Sequence, residues 1–172
     1  MHTVRPCTLP AAALLQRHAA GGGYADCYQA DMPGTVSQAA FVEAFYTTRL
    51  FKLERVILSL LARRPSTDGD VKRLAEGSAS TFAAWRVEGR SDDQLLLGDF
   101  TGRTKSWLMT AASDATSAGP ATRLYFGSAV VPKVNKTTGH SSMGFAFTAL
   151  LGFHRLYSRL LLRAAVARLR SQ

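Results

Sequence analysis

The chain is short of cysteine, of long apolar runs and, in its second half, of acid. Cys7 and Cys27 have no CxxC spacing and no histidine placed beside them as a ligand. That excludes the common zinc cages and a scaffold built on disulfides, and leaves two free, buried thiols as the expectation. The longest apolar stretch, Met143 to Phe153, is about half of what a bilayer-spanning helix requires. The early stretch Ala11 to Leu15 is cut by Gln16-Arg17-His18, too short for the apolar core of an export signal. The expected location is a bacterial-type cytoplasm. Catalytic signatures are missing too: no GxSxG, HExxH, GxxxxGK[ST] or GxGxxG occurs. No cofactor, metal or catalytic residue is therefore assigned.

Within these limits the 172 residues have globular composition, 47% hydrophobic and 19% charged. A chain of this size forms its own core without staples and fits one domain, residues 1–172, with 1–23 as an N-terminal extension. The net charge of +9 is uneven. Residues 1–100 carry 11 basic and 11 acidic side chains, whereas residues 101–172 carry 10 basic and only Asp114 as acid. Such asymmetry admits an anionic partner without choosing its kind.

Tyr24 to Met32 alternates aromatic and polar residues and predicts a first strand. After the Pro33-Gly34 turn, Thr35 with Gln38 forms a capping-box pattern. Helical spacing then runs to Arg64 through Val42, Phe45, Leu53, Val56, Ile57, Leu60 and Leu61, with a break expected at Thr47-Thr48. Thr67 with Asp70 caps a short helix from Asp68 to Glu76, closed by Gly77. The period then changes. Phe82–Glu88, Gln94–Phe100, Lys105–Ala111 and Arg123–Val131 read as strands joined by hairpin links, with Asp92-Asp93 as turn chemistry. Pro132 to His140 is a polar loop, and Ser141 onward reads as one long helix with a bend expected at Gly152. Segregated helices and hairpin strands predict an α+β fold. Its expected form is a curved antiparallel sheet of five to six strands around a long C-terminal helix, with two or three helices inserted after the first strand.

The second half gathers aromatic and basic residues suited to a ligand pocket: Trp85, Arg103, Trp107, Tyr125, Phe126, Phe153, His154 and Tyr157. On the terminal helix, Leu150, Phe153, Tyr157, Leu160, Leu161 and Ala164 form an expected apolar face, and Arg155, Arg159 and Arg163 a basic stripe with Arg170 beyond it. Leu156, Leu162, Val166 and Leu169 lie outside that face and point to a homodimer contact. The stripe reads first as a solvated face. An anionic membrane surface is the less favoured reading, and nucleic acid is disfavoured because no recognised module is present.

Several short segments resemble an uncharacterised bacterial family known as domain of unknown function twenty-eight-sixty-seven. Asp93-Gln94-Leu95-Leu96-Leu97-Gly98-Asp99 is similar to its E-x-L-L-G-D strand, continued by Gly102 to Leu108. Tyr24-Ala25-Asp26-Cys27-Tyr28 is similar to its opening Y-x-D-x-[FY]. Gly152-Phe153-His154-Arg155 is similar to its terminal P-F-H-R helix, with Gly152 in place of the proline. The element order also resembles the helix-grip group of START-like and polyketide-cyclase-like proteins, which implies binding of an apolar or amphipathic small molecule. A cavity of about 300 Å³ or more is then expected between sheet and helix, with Arg103 or His154 orienting the ligand's polar end. Two alternatives remain: a cyclase- or hydrolase-type enzyme using His154 or His140, and a basic dimeric adaptor on membrane or nucleic acid.

Overall fold

Period-two alternation dominates the middle of the chain, and it places two different sets of side chains on the two faces of one sheet. The computed structural model describes residues 3–19, 23–53, 66–114, 119–131, 133–134, 141–142 and 145–171. The elements are β1 (Arg5–Pro6), α1 (Gln16–Ala19), β2 (Tyr24–Pro33), α2 (Gln38–Tyr46), α3 (Asp68–Ala75), β3 (Thr81–Phe82), β4 (Trp85–Arg90), β5 (Gln94–Asp99), β6 (Thr104–Ser113), β7 (Ala121–Val130), β8 (Lys133–Val134), β9 (Ser141–Ser142) and α4 (Phe145–Leu169). The strands β1 to β7 form one curved antiparallel sheet in the order β1-β2-β7-β6-β5-β4-β3, and β8 pairs with β9 separately.

The α+β class, the curved antiparallel sheet and the long terminal helix are as expected. The strand number is not: two-residue β1 and β3 extend the edges and give seven strands, where patterning predicted five to six. Strands that short carry too few residues to show alternation. The first helix is capped by Ser37, whose hydroxyl accepts from the Ala40 amide, and not by Thr35. Both are good caps, and the structure starts the helix two residues later. The helix stops at Tyr46, capped at Thr47, and residues 49–53 are helical again after the bend. Thr47 and Thr48 turn their hydroxyls back onto the Glu43 and Phe45 carbonyls, which is how the break is held. Val56, Ile57, Leu60 and Leu61 lie outside the described residues. The Thr67–Asp70 box caps α3 as expected, and Gly77 adopts φ +84° beyond its end.

Helical structure does not begin at Ser141, which lies in β9; α4 starts at Phe145 and continues through Gly152. Its buried face is also different from the one expected. Ser158, Leu161, Leu162, Ala165 and Val166 are buried, while Phe153 and Leu160 are 66% and 41% exposed. Leu162 and Val166, assigned from the sequence to a subunit contact, belong to the core instead. The helix is apolar over so much of its circumference that two phases fit the pattern equally well, and only the sheet selects one.

Helices cover one face of the sheet. Tyr28, Leu95, Leu97, Leu108, Leu124 and Phe126 pack there against α2, α3 and α4. The other face is covered by the N-terminal segment: Ala13 and Leu15 lie over Leu96, Trp107 and Ala129, with Leu9, Leu14 and Tyr125 alongside. Gly127 makes room for this layer, since a Cβ there would meet both Leu15 and the Trp107 ring at 2.9 Å. Buried Gln94 ties it down. Its Oε1 accepts from the Leu14 amide and from Trp107 Nε1, each at 2.9 Å, and its Nε2 donates to the Ala12 carbonyl at 3.1 Å.

Replacing Gln94 by Leu keeps the volume but leaves those three groups unpaired. The expected loss is about 2–4 kcal/mol, read as a lower urea midpoint with an unchanged slope. A loss below a few tenths would show that the segment's backbone is solvated rather than clamped.

Candidate functional site

The helix-facing positions of β2, β6 and β7 change character along the strands. At one end they are Leu108, Leu124 and Phe126; toward the other they become Asp26, Ser106 and Ser128. Ser106 and Ser128 are direct register partners, so two hydroxyls stand side by side on one face. A pocket of about 170 Å³ opens here between the sheet and α4. Its apolar walls are Phe45, Phe51, Phe126 and Leu161, and its polar lining includes Ser106, Ser128, His154 and Ser158. Trp85, Thr104, His154 and Tyr157 are half-buried and mark its mouth.

A larger concavity of about 380 Å³ lies at the opposite end of the β6–β7 hairpin, lined by Thr35, Val36, residues 110–114 and 120–122. Among the described residues it has no aromatic wall, and two of its hydroxyls are already used: Ser113 donates to Asp31, and Thr122 donates to the Gly34 carbonyl. The smaller pocket has the better chemistry.

Asp26 organises the polar end. Its Oδ1 accepts from the Ser128 hydroxyl at 2.6 Å and the Ser128 amide at 3.2 Å, and its Oδ2 accepts from the Tyr24 hydroxyl at 3.0 Å. Ser128 Oγ lies 2.7 Å from His154 Nε2. With its one proton directed to the Asp26 carboxylate, Ser128 accepts from His154, so Nε2 carries hydrogen. Tyr24 packs edge-on against the His154 ring at 5.8 Å, and Arg155 reaches its hydroxyl at 3.3 Å. The order of groups is Asp–Ser–His rather than Ser–His–Asp. Carboxylate and hydroxyl approach the same imidazole nitrogen, Asp26 Oδ2 at 3.7 Å and Ser128 Oγ at 2.7 Å, so the three groups do not have the arrangement of a Ser–His–Asp triad.

Deeper in, the Tyr46 hydroxyl and Ser106 Oγ satisfy one another at 2.9 Å. Two lining groups differ. Ser158, 1% exposed, has a buried Oγ without a hydrogen-bond partner among the described residues, and the buried Trp85 Nε1 is in the same condition. An unsatisfied buried donor is expensive to keep. Both belong to residues that line the same pocket.

Of the residues singled out from the sequence, Trp85, Phe126, His154 and Tyr157 line this pocket together. Trp107 and Tyr125 do not: they pack on each other across 6.2 Å on the opposite face, beneath the N-terminal segment. Register explains it, because Trp107 pairs with Gly127 and therefore shares a face with Tyr125, not with Phe126. Phe153 is exposed and stacks on Tyr157 from outside. Arg103 sits just before Thr104, in the β5–β6 turn, and is absent from the lining. His140 lies outside the described residues. Sequence reading missed Asp26, Ser106, Ser128 and Ser158. Asp26 had a signal, a carboxylate in phase with inward-facing Tyr28; the serines had none.

Arg155, Arg159 and Arg163 are all exposed on α4, beside Phe153, Leu156 and Leu160. Among the described residues no group of three or more metal-binding side chains occurs, and no helix is long and apolar enough to cross a membrane. No family model matches the chain, and neither a curated protein nor a solved structure does.

Burial, followed by the Asp26 charge, pushes the Tyr28 phenol up to about 12 from its ordinary 10. A raised folded-state value means that this contribution to stability is whole below pH 10 and is lost as pH rises toward 12. Phenolate absorbance should therefore show a late-titrating tyrosine that Tyr28→Phe removes. Titration of every folded-state tyrosine at the ordinary value would contradict this environment.

Proposed function

We propose that the chain binds a small amphipathic molecule in the pocket between the sheet and α4. The observation that carries the reading is the pair of buried polar groups without a partner among the described residues, Ser158 Oγ and Trp85 Nε1, set among apolar walls. Indole nitrogen only donates, so the ligand presents an acceptor oxygen, and Phe45, Phe51, Phe126 and Leu161 take its apolar body. The size is modest. At about 170 Å³ the pocket is well under the volume expected from the sequence, and it suits one ring or a short branched chain rather than a sterol or long lipid. An apolar cavity of about 150 Å³ is known to accept benzene.

In this reading His154, held by Ser128, meets the ligand's polar end; Arg103, the other residue expected there, does not line the pocket. The enzyme alternative rests on His154 or His140 as acid or base; His154 lines this pocket, and His140 lies outside the described residues. The kinship with helix-grip proteins is part of this proposal, supported by the shared order of strand, helices, sheet and long helix.

Small aromatic ketones and amides, with acetophenone as the first probe and ethylbenzene as its match without oxygen, test the reading by thermal shift and intrinsic fluorescence. The ketone should raise the unfolding temperature at millimolar concentration and change tryptophan emission, with ethylbenzene clearly weaker. Ser158→Ala should weaken binding by about 5-fold, one hydrogen bond's worth. Leu161→Trp, which fills the pocket, should abolish it. No shift with any ketone or amide, or an undiminished shift in Leu161→Trp, would sink the proposal.

A further inference from the structure

Cys7 follows directly on β1, whose register sets Arg5 opposite Gln29 and Pro6 opposite Tyr28. The next pair is Cys7 and Cys27. The Cys7 amide donates to the Cys27 carbonyl at 3.0 Å, which continues the ladder, and the two Sγ atoms lie 3.0 Å apart. Directly opposed antiparallel residues have Cα atoms about 4.5–5.5 Å apart, inside the roughly 4.4–6.8 Å that a disulfide spans. No backbone shift is needed to join them.

The two thiols are unequal. Cys7 is half-exposed, whereas Cys27 is buried beneath the N-terminal layer at 5% exposure. We propose that Cys7 and Cys27 are a thiol–disulfide site: Cys7 attacks a low-molecular-weight disulfide from solvent, and Cys27 resolves the adduct into an intramolecular cross-strand disulfide. The chemistry balances in two exchanges. Cys7 thiolate attacks one sulfur of the small disulfide, forming a mixed disulfide and expelling one small thiolate. Cys27 then gives up its proton and attacks Cys7 Sγ, expelling the second. The two protein thiols lose two electrons, the small disulfide gains them, and both protons leave on the two small thiols.

The electrostatics favour this division of labour. The hydrogen bond from Cys27 holds the Cys7 thiol below its ordinary value; burial works against it, and Arg123 and Arg5 assist. Cys27 is pushed upward by the same hydrogen bond, by burial and by the neighbouring Asp26 charge, so it keeps its proton until Cys7 is capped. The product would fasten the segment bearing Leu9, Ala13 and Leu15, which covers Trp107, to the middle of β2.

The test is incubation of the folded full chain with glutathione disulfide, followed by intact mass and peptide mapping. The wild type should lose the mass of two hydrogens, yield one peptide pair linking Cys7 to Cys27, and recover on reduction with dithiothreitol. Its unfolding temperature should rise by roughly 5–10 °C on oxidation. Cys27→Ser should stop with a single glutathione on Cys7, and Cys7→Ser should stay unmodified. A wild-type product that keeps both thiols, carries attached glutathione or forms a disulfide-linked dimer would overturn the proposal. The wild-type result decides even if a variant folds poorly.

Discussion

Much of the architecture hangs on the side-chain amide of Gln94. One buried carboxamide binds the N-terminal segment to the sheet and ties two strands together, satisfying the Leu14 amide, the Ala12 carbonyl and the Trp107 indole. A loop laid over a sheet carries backbone groups that have neither water nor a strand to pair with. Gln94 supplies that pairing from a strand position where Val or Leu would be expected. With it in place, the N-terminal segment can serve as a second layer, and Trp107 can be fully buried without an orphaned nitrogen. The sheet is thus protected on both faces, although α2, α3 and α4 all pack on one.

That arrangement frees the helix side to do something other than stabilise. The outer face holds a tryptophan, a glycine cut to receive it and the thiol pair; the inner face fades from leucine and phenylalanine into Asp26, Ser106 and Ser128. Polar groups at helix-facing positions weaken a core, and most of them here are compensated by one another. The Glu88 bulge in β4 belongs to the same economy of faces. Alternation puts the Glu88 carboxylate on the outer side, where it meets buried Lys105 at 2.6 Å across Gly98, and the register shift between Val87 and Gly89 leaves Gly89 on that side as well. Trp85 and Val87 stay on the inner side.

The strands and their hairpins were legible because alternation and turn residues are local signals, and β2 and β4 to β7 fall close to where the pattern puts them. The phase of α4 was not. Leu156, Leu160, Leu161, Leu162 and Val166 allow several apolar stripes, and only packing against the sheet selects the one that buries Ser158, Leu161, Leu162 and Val166. The pocket suffered from the same ambiguity in another form. Trp107 and Phe126 are both large inward residues by any local measure, yet they belong to opposite faces, and only the β6–β7 register distinguishes them. Serines that matter through their register partner leave no trace in a single chain.

The central ladder has a kinetic corollary. β2 pairs with β7 along its whole length, from Tyr24 opposite Val130 to Pro33 opposite Ala121. Made first and partnered last, β2 waits for nearly the entire sheet to exist before it can hydrogen-bond on that side. Contacts so distant along the chain slow folding. During synthesis an unpaired, partly apolar strand stays open to the wrong neighbours. The acidic residues within β2, Asp26 and Asp31, then act as gatekeepers before they act as partners, keeping the strand soluble until Arg123 and Ser128 arrive to claim them.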